Sequence, residues 1–166
     1  SREMAAVITA VVMCGRTGAA FAAELATMQA NEEVDALSVL GLNAVDYLVL
    51  PRVLTLLFMM PLLYLFGCVG GLLGGFAVSS SLLDLAPIAY FDRTVAALTY
   101  THLGLGFFKS MAFGLLVSLA ACFHGLYAPR NAAGVGMATT RAVVAGIVGV
   151  IALDAVFAVC ADALGI

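Results

Sequence analysis

Residues 53–83, VLTLLFMMPLLYLFGCVGGLLGGFAVSSSLL, contain no charged residue and lie between Arg52 and Asp84. About 20 apolar residues are enough for a helix to cross the ~30 Å hydrocarbon core of a bilayer. A soluble core helix rarely needs so long an uncharged run. The stretch therefore predicts a membrane-spanning helix, and the function has to be one that a membrane helix bundle can perform.

The composition of the whole chain agrees with this interpretation. Hydrophobic residues make up 64% of the 166 residues and charged residues only 10%, whereas an ordinary soluble domain has about 25% charged residues. The net charge of −3 provides no broad basic surface, which excludes nucleic-acid binding as the main function. The four cysteines lie in different apolar stretches without a CxxC or Cys/His spacing, so we expect buried thiols and no metal site.

Four membrane segments can be drawn, at roughly residues 4–23, 53–77, 110–127 and 142–164. They predict an all-α, polytopic transmembrane helix bundle that forms a single domain over residues 1–166. The first and fourth segments contain Arg16 and Asp154, each of which costs about 2.5 to 3.5 kcal/mol at the centre of a span, so these helices need protein neighbours. Because the chain opens on Ser1 and does not begin like a signal peptide, we expect at least one further helix to precede it.

The second segment carries a glycine repeat. Gly67, Gly71 and Gly75 recur at four-residue spacing, which places them on one helix face and lets another backbone approach closely. The alternative is a locally bent or broken helix end, because glycines weaken a helix. Both interpretations can hold together.

The connection between the first two segments predicts a short amphipathic helix outside the membrane, within residues 24–41. Asn31 is a candidate N-cap, Val34, Leu37 and Leu40 follow at three-residue spacing, and Gly41 fits a C-cap. A helix lying on anionic lipid favours Lys and Arg, and residues 24–40 contain neither. The acidic face therefore favours a protein partner with basic or apolar sockets.

The other two connections have fewer recognisable sequence features. Residues 78–108 predict a second short helix from Asp92 to about Leu103, and residues 128–141 predict a helix start capped by Thr139 or Thr140. Because spans alternate in direction, the connections at 24–52 and 128–141 lie on one side of the membrane. The distribution of basic residues assigns that side to the cytoplasm.

Ionisable groups inside the membrane are the first candidates for function, because the bilayer makes them costly. Asp154 lies about 20 Å along a helix from Arg141, well inside the hydrocarbon, and Arg16 follows a long apolar run. Arg2 and Glu3 lie at the opposite end of the first segment. These residues either line a polar cavity that contacts a charged substrate head, or pair with neighbouring helices and hold the bundle together.

Several blocks of the sequence resemble the MlaE/YrbE permease family. They are GRTGAA at 15–20, AELATM at 23–28, EEVDAL at 32–37 and GVGMATTRAVV at 134–144, together with Arg2-Glu3 and Pro51-Arg52. The resemblance runs from Arg2 to about Asp154. Ala26 stands where the family usually has Gly, Glu33 where Gln is frequent, and Asn43-Ala44 where Asp-Pro is common, which affects only the details of the first connection.

The resemblance implies the membrane subunit of an ATP-binding-cassette transporter that moves phospholipid between the inner and outer membranes of a diderm bacterium. The subunit would lie in the inner membrane as a homodimer. Each copy would bind a cytoplasmic ATPase, which holds the ATP and magnesium, so this chain would bind no cofactor and would not be an enzyme. The implied partners also include a periplasmic MCE-domain protein and, in several systems, a small STAS-domain protein. The family has five spans and an elbow helix, against four spans here.

The resemblance also implies roles for individual residues. Arg2 and Glu3 match a polar pair near the outer mouth of the lipid cavity, and Lys109 and Asp154 match charged positions along the translocation route, to which Arg16 is added from its position. The region of residues 24–41 matches the coupling helix that sits in a groove of the ATPase. The residues predicted to contact the ATPase are Glu24, Met28, Glu32, Glu33, Asp35 and Leu37.

Two other classes of function stay open at this point. An integral-membrane lipid-modifying enzyme would need a nucleophile or a metal constellation, and the sequence offers none that is recognisable. A non-transport scaffold or channel subunit would not need the acidic amphipathic helix. No GxxxxGK[ST] pattern occurs in the sequence, so ATP hydrolysis would have to come from another chain.

Overall fold

The computed structural model describes residues 4–82, 87–97 and 100–164, and within these ranges every regular element is helical. The elements are α1 (Met4–Met13), a π-helical turn (Cys14–Gly18), α2 (Ala19–Ala30), α3 (Glu33–Val39), a second π-helical turn (Val45–Val49), α4 (Leu50–Leu82), α5 (Pro87–Ala97), α6 (Tyr100–Leu126) and α7 (Ala132–Leu164). The predicted all-α polytopic bundle is confirmed.

Four helical stretches of the described residues are long and apolar enough to cross a membrane. They are Met4–Ala30, Val45–Ser81, Leu103–Leu126 and Ala132–Ala163. Each predicted segment has its counterpart, but the helices are longer than the predicted segments. We call the end of the bundle that carries α3 the α3 end, and the opposite end, next to α5, the α5 end.

Two predicted helix boundaries are wrong. The helix predicted from Asp92 to about Leu103 is instead α5, which begins at Pro87, while Tyr100–Leu103 belongs to α6. The start predicted at Thr139 or Thr140 is also wrong, because α7 begins at Ala132. The Oδ1 atom of Asn131 accepts a hydrogen bond from the backbone N–H of Gly134 at 2.6 Å, so an asparagine is the cap and the helix starts earlier.

The short helix α3 has the predicted C-cap but not the predicted N-cap. Gly41 has a φ of 76°, and the N–H groups of Gly41 and Leu42 donate to the carbonyls of Ser38 and Leu37 at 3.1 and 3.0 Å, which is a Schellman motif. The N-cap position is held by Glu32, with a φ of 60°. Asn31 lies one residue before the N-cap position, and its side-chain amide instead donates to the Glu33 carboxylate at 3.3 Å.

Helix α6 is the centre of the bundle. Half of the residues in its most apolar stretch are buried, whereas at most 22% are buried in the other three spans. Phe113 and Val117 pack in the main apolar core with Leu56, Met60 and Tyr64 of α4. A central helix needs polar groups that are already satisfied, and the buried hydroxyls of Ser110 and Ser118 donate to carbonyls within α6.

The closest helix contacts occur at glycines of α6. A Cβ atom on Gly114 would lie 2.8 Å from the carbonyl oxygen of Leu56, and one on Gly125 would lie 2.6 Å from Leu25 Cβ and 3.0 Å from the carbonyl oxygen of Ala22. Gly114 is flanked at four-residue spacing by Ser110 and Ser118. This small-residue stripe allows α4 to approach α6 closely, and Gly125 allows the same for α2.

The glycine repeat of α4 has a different environment at each position. A Cβ atom on Gly67 would lie 3.1 Å from Thr9 Oγ1, and one on Gly75 would lie 2.7 Å from the hydroxyl of Tyr90, whereas one on Gly71 would meet nothing within 4 Å. Helices α1 and α5 therefore contact the two ends of the repeat. The middle faces outward, and α4 continues as one helix through all three positions.

Candidate functional site

A buried ion pair joins α6 to α7 inside the bundle. The Nζ atom of Lys109 lies 2.5 Å from Oδ1 of Asp154, and the Lys109 side chain is fully buried while that of Asp154 is 27% exposed. Lys109 Nζ also lies 5.9 Å from the centre of the Phe113 ring, an attractive arrangement for a cation. The contact is an ion pair without the alignment of a good hydrogen bond, since Asp154 Oδ1 has no hydrogen-bond partner among the described residues.

The position of the pair along the spans follows from helix geometry. Lys109 lies about 9 Å inside the start of the third span at Leu103, and Asp154 lies about 14 Å from the end of the fourth at Ala163. Both distances are measured from the α5 end. The pair therefore lies below the surface of the bundle in the half nearer α5, and Asp154 is the member through which it reaches the molecular surface.

A buried pair of this kind is costly unless both members are present. Removing one member leaves an uncompensated charge, which typically costs about 3 to 5 kcal/mol, whereas replacing both with apolar residues is often neutral. A lysine and an aspartate inside a span are therefore not needed for folding as such. Ionisable residues at this depth typically mark a pathway for a polar substrate group.

Arg16 lies at the middle of the first span, in a different environment. It is part of the π-helical turn Cys14–Gly18, about 18 Å from Met4 and about 21 Å from Ala30 along the helix. Cys14 and Gly18 are buried against the other spans, whereas Arg16 is exposed. A π turn rotates the side chains of its residues relative to the rest of a helix, and here the guanidinium lies on the outer face of the bundle.

The α3 end carries a second group of charged residues, beginning with Glu24 and Arg52. Arg52 Nη2 donates to Glu24 Oε2 at 2.9 Å, and Nη1 donates to the carbonyl oxygen of Leu48 at 3.0 Å. The guanidinium also lies 5.7 Å from the centre of the Phe21 ring. Arg52 is only 17% exposed while Glu24 is 62% exposed, so Arg52 is held in place and fixes the middle of α2 against the start of α4.

The open groove beside this pair has a volume of about 400 Å³ and is lined by Ala23, Glu24, Thr27, Met28 and Arg52. Most of its lining is apolar, with the ion pair at one edge. The groove gives the α3 end a concave surface between two spans.

A second ion pair connects α3 to the loop that precedes α7. Arg130 donates from Nη1 to Asp35 Oδ2 at 2.7 Å and from Nη2 to Asp35 Oδ1 at 3.2 Å. This is a bidentate contact, which fixes orientation as well as distance. The two side chains are 49% and 51% exposed, and pairs exposed to this extent contribute about 1 kcal/mol or less to stability.

The apolar side of α3 packs inward. Val34 and Leu37 contact a small cluster formed by Leu25, Leu48 and Cys122, to which Met28 also contributes. The opposite side is exposed and presents Glu32, Glu33, Val39 and Leu40. Among the predicted ATPase-contacting residues, Glu32 and Glu33 are therefore freely accessible, whereas Met28 and Leu37 are half-buried within the chain.

The remaining predicted site residues are distributed as follows. Lys109 and Asp154 are brought together, Arg16 lies apart from them, and Glu24 and Asp35 are each held in an ion pair. Arg2 and Glu3 lie outside the described residues. The sequence reasoning did not identify Arg52 and Arg130 as site residues, because their partners are far away in the chain and no local spacing connects them.

Comparison with known proteins decides the family. The family model described as "Permease MlaE" matches residues 1–160. The chain belongs to the MlaE permease family. This result confirms the resemblance seen in the blocks at 15–37 and 134–144.

Individual relatives of this permease come from bacteria and from a plant. The chain is 40% identical over 144 residues to a "Probable ABC transporter permease protein" of Rickettsia conorii, which covers 87% of this chain and 56% of the relative. It is 39% identical over 150 residues to a similarly named Synechocystis protein, covering 90% and 57%. It is 38% identical over 154 residues to the Arabidopsis thaliana chloroplastic protein TRIGALACTOSYLDIACYLGLYCEROL 1, covering 93% and 44%.

The MlaE permease chain described here thus spans about half the length of the curated relatives it matches. Membership in this permease family agrees with the four described helical stretches that are long and apolar enough to cross a membrane. The two charged regions, one inside the bundle and one at the α3 end, therefore belong to a member of this permease family.

Proposed function

We propose that this protein is the membrane subunit of an ABC transporter that moves phospholipid between the inner and outer membranes of a diderm bacterium. A separate ATPase supplies the energy. Two copies of the permease pair in the inner membrane, and an MCE-domain protein receives or delivers the lipid on the periplasmic side. In some systems a STAS-domain protein binds the ATPase. The single observation that carries the proposal is the Lys109–Asp154 pair, buried in an otherwise apolar bundle of a transport family.

The chemistry of the pair suits a phospholipid. A phosphate headgroup is an anion that accepts charge-assisted hydrogen bonds, and Lys109 provides a cation held 2.5 Å from a replaceable carboxylate. The acyl chains need only apolar surface, which the spans supply. The name of the Arabidopsis relative contains that of a glycerolipid, trigalactosyldiacylglycerol, which supports a lipid as the transported class.

Arg16 extends the same chemistry towards the middle of the membrane. An exposed guanidinium at the centre of a span is unfavourable against acyl chains, so we assign its face to a polar compartment between the two copies. Arg2 and Glu3, if they lie at the mouth of that compartment, complete a series of charged groups. A headgroup could then move from one group to the next without losing ionic partners.

The α3 end supports the coupling role. The exposed Glu32 and Glu33 beside Val39 and Leu40 present an acidic and apolar surface outside the span, which suits a groove on an ATPase with basic and apolar sockets. The groove lined by Glu24, Met28 and Arg52 lies at the same end. ATP binding by the partner would displace α3 and thereby the spans on which it is seated.

The test uses the full-length protein reconstituted with its ATPase in donor vesicles that contain a labelled phospholipid. We expect transfer to acceptor vesicles that requires hydrolysable ATP. The variant Glu32→Lys with Glu33→Lys should lose co-purification of the ATPase and should transfer no lipid, because charge reversal repels a basic socket. The matched control, Asp92→Lys, reverses an exposed acid at the α5 end and should retain both.

Two outcomes contradict the proposal. Transfer that proceeds equally without ATP, or no transfer by an intact permease–ATPase complex, would exclude ATP-driven phospholipid transport. Unchanged co-purification in the charge-reversed variant would exclude α3 as the ATPase contact.

A further inference from the structure

We propose that the Asp35–Arg130 ion pair is the strut that transmits movement of α3 to α7, and that Arg130 is a positioning residue for coupling. This inference rests on the proposed function. The two residues are half-exposed and lie 95 positions apart in the chain. Because a pair exposed to this extent contributes little to stability, we assign it a role in transmitting movement.

The first step is how α3 is seated. Its inward side chains, Val34 and Leu37, contact a cluster drawn from α2, the turn Val45–Val49 and α6. Helix α7 contributes no member to that cluster among the described residues. A displacement of α3 would therefore reach α2, α4 and α6 directly through apolar packing. It would reach α7 through such packing only indirectly, for example through Ala26 of α2, which packs with Val135 and Ala138 of α7.

The bidentate pair supplies a direct connection. Arg130 uses both terminal nitrogens on both carboxylate oxygens of Asp35, at 2.7 and 3.2 Å. A planar guanidinium that meets a carboxylate in this way resists rotation as well as separation. A lysine at the same position would act as a point charge and would not fix the angle between the two segments.

The third step is how Arg130 is fixed to α7. The next residue, Asn131, caps the helix by accepting from the N–H of Gly134 at 2.6 Å, and its own carbonyl accepts from Val135 at 3.3 Å. Gly134 packs directly on the backbone of Pro129, where a side chain would not fit. These contacts hold residues 129–131 against the first turn of α7, so a displacement of Arg130 would also displace that helix.

Helix α7 continues without interruption from Ala132 to Leu164 and carries Asp154. A rigid helix moves as a unit, so a shift at its first turn changes the position of Asp154 relative to Lys109 on α6. Position between two sites is only suggestive of coupling, and a physical demonstration requires perturbing the link itself. The two residues of the pair allow such an experiment, because their charges can be exchanged.

The experiment compares four forms of the full-length permease with its ATPase in vesicles. They are the wild type, Arg130→Ala, Asp35→Ala, and the exchanged form with Asp35→Arg and Arg130→Asp. Two quantities are measured, the rate of ATP hydrolysis and the rate of labelled phospholipid transfer. We expect both single variants to assemble but to transfer at least about threefold less lipid per ATP hydrolysed, and the exchanged form to recover most of that loss.

The matched control is Arg141→Ala, which removes an exposed arginine of α7 for which no ion pair occurs among the described residues. It should leave the ratio of transfer to hydrolysis unchanged. An Arg130→Lys variant, which keeps the charge without the bidentate contact, should give an intermediate ratio. The proposed role of the Asp35–Arg130 pair would be excluded if Arg130→Ala kept the wild-type ratio of transfer to hydrolysis. It would also be excluded if the exchanged form showed no higher ratio than the single variants.

A second measurement separates this inference from the proposed cargo. Amide hydrogen exchange over residues 132–140 is compared between the nucleotide-free and ATP-bound complexes. We expect a difference in the wild type that falls at least about threefold in Arg130→Ala, whichever molecule is transported. An equal difference in amide exchange in both proteins excludes the proposed role of the ion pair even if phospholipid transfer is confirmed. If the difference is lost in Arg130→Ala but no phospholipid is transferred, the role of the ion pair is supported and phospholipid is rejected as the transported molecule.

Discussion

At the scale of single residues, the sequence identifies the costly charges but not their partners. Asp154 could be found because it lies deep in an apolar segment, and the family resemblance added Lys109. Their contact at 2.5 Å could not be predicted, because it depends on how α6 and α7 are rotated about their axes. Arg52 and Arg130 were missed for a related reason, since both lie at helix ends where charged residues are ordinary.

Glu32 gives a test at this scale, because its φ of 60° is unfavourable for a residue with a Cβ atom. Replacing it with glycine should stabilise the protein by about 1 kcal/mol relative to Glu32→Ala, which keeps the Cβ atom but also lacks the charge. The measurement is the midpoint of thermal unfolding in detergent for the two variants. Equal midpoints would mean that the turn before α3 carries no strain.

At the scale of helices, the spans could be predicted from hydropathy, while the faces on which they pack could not. The glycine repeat at 67, 71 and 75 predicted close packing because its spacing is regular, yet Gly71 faces outward. Gly114, within the stripe of Ser110 and Ser118 on α6, instead lies directly against the backbone of α4. That stripe has the same spacing, and serines in it were not recognised as small residues that permit close packing.

Gly114 tests the packing of α6 against α4. The variant Gly114→Ala should destabilise the bundle by about 1 to 3 kcal/mol, because its Cβ atom would lie 2.8 Å from the carbonyl oxygen of Leu56 and the two helices would have to separate. Gly104→Ala is the control on the same helix, since a Cβ atom there meets nothing within 4 Å. Thermal unfolding in detergent should separate the two, and equal stability would contradict the close contact.

The two π-helical turns were also beyond sequence reasoning. Cys14–Gly18 and Val45–Val49 interrupt the regular hydrogen bonding of the first two spans. Arg16 lies inside the first turn, and Arg52 follows shortly after the second. Such turns arise from tertiary packing and have no simple local signature. The amphipathic helix α3, in contrast, was predictable in position and in its end at Gly41, because a left-handed residue there requires glycine.

At the scale of the whole molecule, one arrangement unites these observations. Charged residues lie at two levels: the Lys109–Asp154 pair inside the half nearer α5, and the pairs of Glu24 with Arg52 and Asp35 with Arg130 at the α3 end. Apart from Arg16 at the middle of the first span, the spans between these two levels are mainly apolar. The class of fold and the family could be derived from the sequence, whereas this separation into two levels needed the packing of α6 and α7.

Reconstituted variants can decide whether the buried Lys109–Asp154 pair serves transport or holds the bundle together. The variants are Asp154→Ala alone and the double replacement Lys109→Met with Asp154→Leu, each reconstituted with the ATPase. The single variant should be unstable, because it leaves Lys109 buried without its partner. The double variant should assemble and bind ATPase normally while transferring phospholipid at least about tenfold more slowly than the wild type. A stable double variant with wild-type transfer would contradict the central claim, because the pair would then be structural alone.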